Sequence, residues 1–288
     1  MYIRKIFVLL LLLVLSLEAG TIDIKIQTNT LFNANALLIT AKSKQIKNPK
    51  AILDTKEIIF LPHPFIKDTL YALVPFHYFL PIKKHQLIVT YTQKNRELFE
   101  GFEITLNEDS YKSEEIKVSS SKVTLNTSNK NRTMKEYKEA MDIYNTVTPD
   151  NYWYEDFIFP LESKITSDFG TKRIYNGVTK SYHTGVDFKA KLNTKIIASN
   201  NGIVKISKNR FYAGNSIIID HGHGIYTCYF HLNKMFVKEG DFVQKGDTIA
   251  LSGNSGRSTG SHLHFATFVN GIQVNPLNLL RTLNSLNN

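Results

Sequence analysis

The sequence predicts a mostly β protein, with two β-rich regions joined by a linker that holds one helix. Apolar residues recur with period two along residues 21–107, the spacing of half-buried strands, and residues 151–280 are β-rich again with glycine-punctuated turns. Prolines and glycines punctuate those runs, and between the two regions the apolar spacing turns helical. A length of 288 residues suits two domains.

In the first region, Thr21–Ile26, Leu37–Thr40, Glu57–Phe60, Leu70–Val74, Gln86–Tyr91 and Glu100–Leu106 read as strands. Pro49, Pro62, Pro64, Pro75 and Pro81 are expected between them, where a missing backbone donor is harmless. Strands of this size suggest a small immunoglobulin-like sandwich. His63, His77 and His85 stand apart from one another and read as structural or surface histidines, since isolated imidazoles lack the partners of a metal site.

Residues 108–131 shift to Ser, Asn, Lys and Glu, as a boundary does. Thr133 with Glu136 forms a capping-box pattern. Met134, Tyr137, Met141 and Tyr144 then share one helical face, expected to pack on a domain, until Thr148-Pro149 ends the helix. Beyond, Lys195–Ala198, Gly202–Ile206, Ser216–Ile219, Ile225–Phe230 and Asp247–Leu251 read as strands, with a helix expected only at Pro276–Leu280.

Composition narrows the class. Hydrophobic residues at 42% and charged residues at 21% suit a globular chain and exclude a disordered one. They also exclude a multi-pass membrane protein, a collagen-like chain and an acidic solvating tail. A single cysteine, Cys228, excludes an internal disulfide and reads as a small buried hydrophobe. Arg4 and Lys5 precede the apolar run Ile6–Leu17, too short to span a bilayer. With Ala19-Gly20 this reads as an export signal cleaved after Ala19, or retained as an anchor. Leu17 stands where a small residue is preferred. The formal charge is +10; removing residues 1–19 takes two basic and one acidic residue, leaving +9. An exported basic chain meets polyanionic surfaces rather than nucleic acid, but with no run of five like charges the charge carries little weight.

Six of the nine histidines fall between positions 183 and 264. In His183-Thr-Gly-Val-Asp187 the i, i+4 spacing would share a helix face, but Thr, Gly and Val favour a loop entering a strand. There, a bend at Gly185 would aim both side chains at one point. In His262-Leu263-His264 the two imidazoles would share one face of a strand. They would stand about 6–7 Å apart, which suits one ligand beside one acid–base group, or two histidines on a wet face. His231 ends an apolar strand, and His221 and His223 flank a glycine-rich turn.

Tyr182–Phe188, Ile219–Gly222, Tyr229–Leu232 and Gly253–Phe265 together resemble the signature blocks of the lysostaphin/LytM-type zinc endopeptidases, and Gly240–Asp247 resembles their hairpin. The resemblance covers about residues 157–280. It implies an antiparallel β fold of the duplicated hybrid motif. It implies one zinc ion held by His183, Asp187 and His264, with His231 and His262 as the catalytic, non-ligand pair. It implies hydrolysis of peptide cross-links in peptidoglycan, at the bond from D-alanine to meso-diaminopimelate, with carboxypeptidase trimming of stem peptides beside it. The alternatives are a glycyl-glycine endopeptidase and a non-catalytic activator of other wall hydrolases; the filled ligand positions argue against the activator. A biotinyl- or lipoyl-type carrier shares the Gly240–Asp247 hairpin but neither the export signal nor the ligand motifs. Two neutral imidazoles and one carboxylate would leave zinc a net charge of +1 and an open fourth position, as catalytic zinc requires. The expected organisation is a signal or anchor over 1–19, a β-sandwich over 20–110, a linker with its helix over 111–150 and the catalytic domain over 151–288. The protein is expected to be a monomer in the periplasm or cell envelope, touching membrane only through an uncleaved N-terminal segment.

Overall fold

The computed structural model describes residues 22–42, 46–117, 125–175, 177 and 179–287. The expected export signal lies outside the described residues. Among the described residues no helix is long and apolar enough to cross a membrane.

Nine strands come first: β1 (Asp23–Ile26), β2 (Thr30–Phe32), β3 (Ala36–Lys42), β4 (Lys47–Leu53), β5 (Lys56–Ile59), β6 (Leu61–Pro62), β7 (Thr69–Pro75), β8 (Lys84–Gln93) and β9 (Arg96–Asn107). They form two sheets, in the orders β1-β3-β7-β6 and β2-β9-β8-β4-β5. Leu37, Ile39 and Val74 of one sheet meet Leu87, Val89 and Ile104 of the other in a shared core. Three proline expectations fail here. Pro49 lies inside β4, Pro62 inside β6 and Pro75 at the end of β7. Pro49 is tolerated because the β4–β8 register shifts between Lys47 and Lys50, so no ladder donor is missed. His63 and His85 are structural: His63 Nδ1 accepts the Phe65 and Ile66 backbone N–H groups, and His85 Nε2 meets the Pro81 carbonyl at 2.7 Å.

Next come β10 (Ser113–Ile116) and α1 (Thr127–Tyr144). The helix starts six residues before the expected cap. Asn126 is the N-cap, its side chain accepting from the Asn129 N–H. Thr133 instead bonds back to the Lys130 carbonyl, and Glu136 receives Arg132 Nε and the Phe211 N–H. The expected apolar stripe also divides. Met134 and Tyr137 are exposed, whereas Tyr144 is buried and stacks on Phe268 with centroids 3.7 Å apart. Helices in proteins draw most of their stability from tertiary packing, and this docking holds α1 in place.

The remaining strands are β11 (Ile165–Ser167), β12 (Lys172–Tyr175), β13 (Thr179–Tyr182), β14 (Val186–Lys189), β15 (Lys195–Ile197), β16 (Gly202–Arg210), β17 (Gly214–Asp220), β18 (Ile225–Met235), β19 (Phe242–Val243), β20 (Thr248–Ser252), β21 (His262–Val269) and β22 (Ile272–Val274). The helix α2 (Pro276–Asn284) follows where expected. Apart from the β10-β12-β13 sheet, these strands form one antiparallel sheet with the path β11-β14-β21-β18-β17-β16-β19.

The two β regions share one apolar cluster. Leu38, Tyr71, Leu73 and Tyr78 pack with Trp153, Phe169, Phe188 and Phe265. β3 and β7 are therefore covered on both faces, which accounts for their continuous apolar runs. Tyr78 stacks on Tyr182 at 4.0 Å and 2°, and Tyr71 Oη meets His223 Nδ1 at 2.8 Å.

The turn between β17 and β18 buries His221 completely, its ring nitrogens meeting the Asn201 carbonyl and Thr227 Oγ1 at 2.7 Å each. Burial pushes its pKa from 6.5 down to about 4. A depressed histidine pKa stabilises the fold above the unfolded value and withdraws that contribution as pH falls through 6.5 toward 4, on the order of 3 kcal/mol. The urea midpoints of wild type and His221→Gln should differ more at pH 7.5 than at pH 4.5; a gap independent of pH would contradict this.

Candidate metal centre

Strand register builds the site. In the β14–β21 ladder Asp187 lies directly opposite His264, and in the β18–β21 ladder Phe230 flanks His264 from the other side. Phe230 and His264 stack nearly parallel, with ring centroids 5.5 Å apart. His183 closes the group from the loop between β13 and β14, as its loop-forming neighbours suggested. Gly185 permits this approach: a Cβ there would fall 2.3 Å from the Phe265 carbonyl oxygen.

The three ligand-type atoms converge. His183 Nε2 lies 2.9 Å from Asp187 Oδ1 and 3.0 Å from His264 Nδ1, and His264 Nδ1 lies 2.8 Å from the same Oδ1. Among the described residues, this is the histidine–carboxylate group whose ligand atoms could hold one metal ion. His183 Nδ1 faces the Asp168 carbonyl at 2.8 Å. A carbonyl only accepts, so that nitrogen carries a proton, and in the neutral ring Nε2 turns its lone pair inward. A proton on His264 Nδ1 would satisfy one edge of the triangle and still leave His183 Nε2 lone pair to lone pair against Asp187 Oδ1. A cation resolves that opposition, and two imidazoles with one carboxylate form a zinc-type donor set.

The electrostatics suit ligation. Burial opposes ionisation of Asp187, but the adjoining His183 and His264 imidazoles hold its carboxyl well below the usual carboxylate range. Burial likewise pushes His264 down to about 4, against the pull of Asp187, so its imidazole is neutral at pH 7, the form that ligates. The second Asp187 oxygen accepts from Arg173 Nη2 at 3.1 Å, and Arg173 Nε in turn meets Glu114 of β10 at 2.6 Å. Arg173 and Glu114 have no signal in the sequence, because their role depends on β10 pairing in parallel with β12 across a long stretch of chain.

His231 and His262 stand beside the cluster with ring centroids 4.8 Å apart. His231 lies at a break in the β17–β18 register with φ +62°, its backbone N–H donating to the Ala213 carbonyl. Its Nδ1 faces the Ser255 carbonyl at 2.8 Å, and His262 Nδ1 faces the Gly260 carbonyl at 2.8 Å. In both rings the carbonyl fixes the proton on Nδ1 and leaves Nε2 as the working nitrogen. His262 Nε2 lies 3.6 Å from Asp187 Oδ1. Burial, then the neighbouring His264 and His262, push His231 down to about 3. Cys228 stays away from the cluster. It is buried under α1 with its thiol 3.3 Å from Tyr144 Oη, and burial pushes it up to about 12.

A cleft of about 300 Å³ opens beside His231 and His264, walled by α1 and by Tyr182, Tyr212 and Arg257. A second groove reaches Asp187 and His262 and is lined also by Glu114, Glu115, Lys117 and Arg173.

An antiparallel sheet thus presents three convergent donors and two further imidazoles beside a cleft. Residues 181–276 match the family model described as Peptidase family M23. The chain is 42% identical over 123 residues to the peptidoglycan DD-endopeptidase ShyA of Vibrio cholerae, which covers 41% of this chain and 28% of that protein. It is 36% identical over 117 residues to the DD-carboxypeptidase/endopeptidase Mpg of Neisseria meningitidis, covering 41% of this chain and 27% of the relative. The chain thus spans under a third of either relative's length. A peptidase M23 crystal structure from Pseudomonas aeruginosa has a TM-score of 0.64 at 21% identity, over 84% of this chain and 92% of that one, which extends the likeness of fold to the N-terminal β region.

Purified protein should bind one zinc per chain, and His264→Ala or Asp187→Ala should lose it. Metal analysis after gel filtration checks this, and full zinc retention by either variant would contradict it.

Proposed function

We propose that the chain is a zinc-dependent endopeptidase that cuts peptide cross-links of peptidoglycan at the bond from D-alanine to meso-diaminopimelate. Carboxypeptidase trimming of stem peptides is its second activity. It works as a monomer in the periplasm of the cell envelope, and stem peptides are its partners. The observation that carries this reading is the inward convergence of His183 Nε2, Asp187 Oδ1 and His264 Nδ1 next to two further imidazoles at an open cleft. The names of the Vibrio and Neisseria relatives support the substrate class.

His183, Asp187 and His264 would hold the ion, and Arg173 would keep the Asp187 carboxylate oriented. A bound zinc ion supplies Lewis acidity at the scissile carbonyl and acidifies water. His231 and His262 share the proton transfers at Nε2. Each ring is fixed by its Nδ1–carbonyl hydrogen bond, so neither need reorient during turnover. Neutral His231 offers a lone pair to a water proton, and its low pKa makes the protonated ring a ready donor to the leaving amine.

His231→Ala and His262→Ala should each keep zinc and lower kcat by at least about 10²–10³-fold, the usual loss for one transition-state contact; loss of zinc in either would reassign it as a ligand. Mass spectrometry of muropeptides should show cross-linked dimers converted to monomers, and chelator should stop the conversion. Intact dimers after incubation with fully zinc-loaded protein would sink the proposal.

A further inference from the structure

We infer that Arg257 is a specificity residue that binds the carboxylate adjoining the scissile nitrogen, an assignment that rests on the peptidase reading above. Arg257 lines the same cleft as His231 and His264. Its backbone N–H donates to the Tyr212 carbonyl at 2.9 Å, and its guanidinium lies over the Tyr212 ring, 4.3 Å from the centroid. Stacking engages the face of a guanidinium, whereas carboxylates are bound through its edge.

The turn that carries Arg257 also carries the carbonyl that orients His231. Ser255 supplies that carbonyl, and Gly256, at φ +77°, packs so closely that a Cβ would fall 2.3 Å from the Gly214 nitrogen. Arg257 and His231 are thus held in fixed relation by a turn with no room to shift.

The charge of the cleft agrees. Its ionisable lining, the two histidines aside, is Arg173, Arg210 and Arg257 against Glu136, and Glu136 is already bonded to Arg132 and the Phe211 N–H. The groove that reaches Asp187 and His262 carries Glu114, Glu115 and Asp187 with Lys117 and Arg173, a net negative lining against the net positive one of the cleft. A substrate lying across the site therefore meets positive charge on the α1 side.

The scissile bond supplies the matching anion. In the cross-link, the carbon bonded to the scissile nitrogen of meso-diaminopimelate also bears a free carboxylate. In a stem peptide awaiting trimming, the terminal D-alanine places a carboxylate at the same position. One cation thus serves both activities. A glycyl-glycine bridge has a neutral peptide carbonyl there.

The test uses zinc-loaded full-length protein and two dimeric muropeptides, one with that carboxylate free and one with it amidated. Wild type should prefer the free acid in kcat/KM by about 10- to 100-fold, the value of a charge-assisted hydrogen bond. Arg257→Gln and Arg257→Lys should lose that preference through the free acid alone, with zinc content and cleavage of the amide kept. Equal losses on both substrates, or a wild type indifferent to amidation, would overturn the assignment while leaving the peptidase reading intact. Cleavage of neither substrate by zinc-loaded wild type would sink both.

Discussion

Three electron-pair donors, each within 3.0 Å of the other two, cannot share that space without positive charge between them. Much of the surrounding structure answers to that constraint. The Asp168 carbonyl fixes the tautomer of His183, Arg173 holds the far oxygen of Asp187, and Phe230 lies flat on His264. Without these partners the donors would splay apart, because lone pairs in a buried site repel at low dielectric. The sheet contributes most of the precision. A ladder that sets Asp187 opposite His264 fixes their separation through backbone hydrogen bonds, leaving only His183 to be delivered by a loop.

The rest of the chain shapes access to that point. Tyr78 of the N-terminal region stacks on Tyr182, the residue before His183, and its hydroxyl donates to the Gly170 carbonyl. The β12–β13 hairpin is thereby clamped between the N-terminal sandwich and the main sheet. On the opposite side, Tyr144 anchors α1 on Phe268, and Tyr137 stays exposed along the cleft wall. The two regions are thus parts of one packed assembly, and the cleft is lined partly by residues far outside the 181–276 family match.

Legibility from sequence followed the range of the interaction. His262 and His264 were readable as neighbours on one face, since two-residue periodicity is a local property of extended backbone. The loop reading of His183–Asp187 rested on the weak helix propensity of Thr, Gly and Val, also local. The start of α1 was misplaced because two capping patterns compete there. Asn126 captures the Asn129 N–H in the first turn, while Thr133 bonds back to the Lys130 carbonyl and Glu136 meets Arg132 and the Phe211 N–H. Pro49 misled because a bulge, which needs the partner strand β8, removes the need for its missing donor.

The sequence by itself determined the mostly β character and the two strand-rich regions with a helix between them, because each is written in spacing over a few residues; the five candidate histidine and aspartate residues were marked only by the resemblance of whole motif blocks. Only the tertiary structure decided that β10 joins β12, that Arg173 and Glu114 brace Asp187, and that α1 and Arg257 wall the cleft. Those contacts join residues tens of positions apart, and their energy comes from burial and register that exist only once the chain has closed.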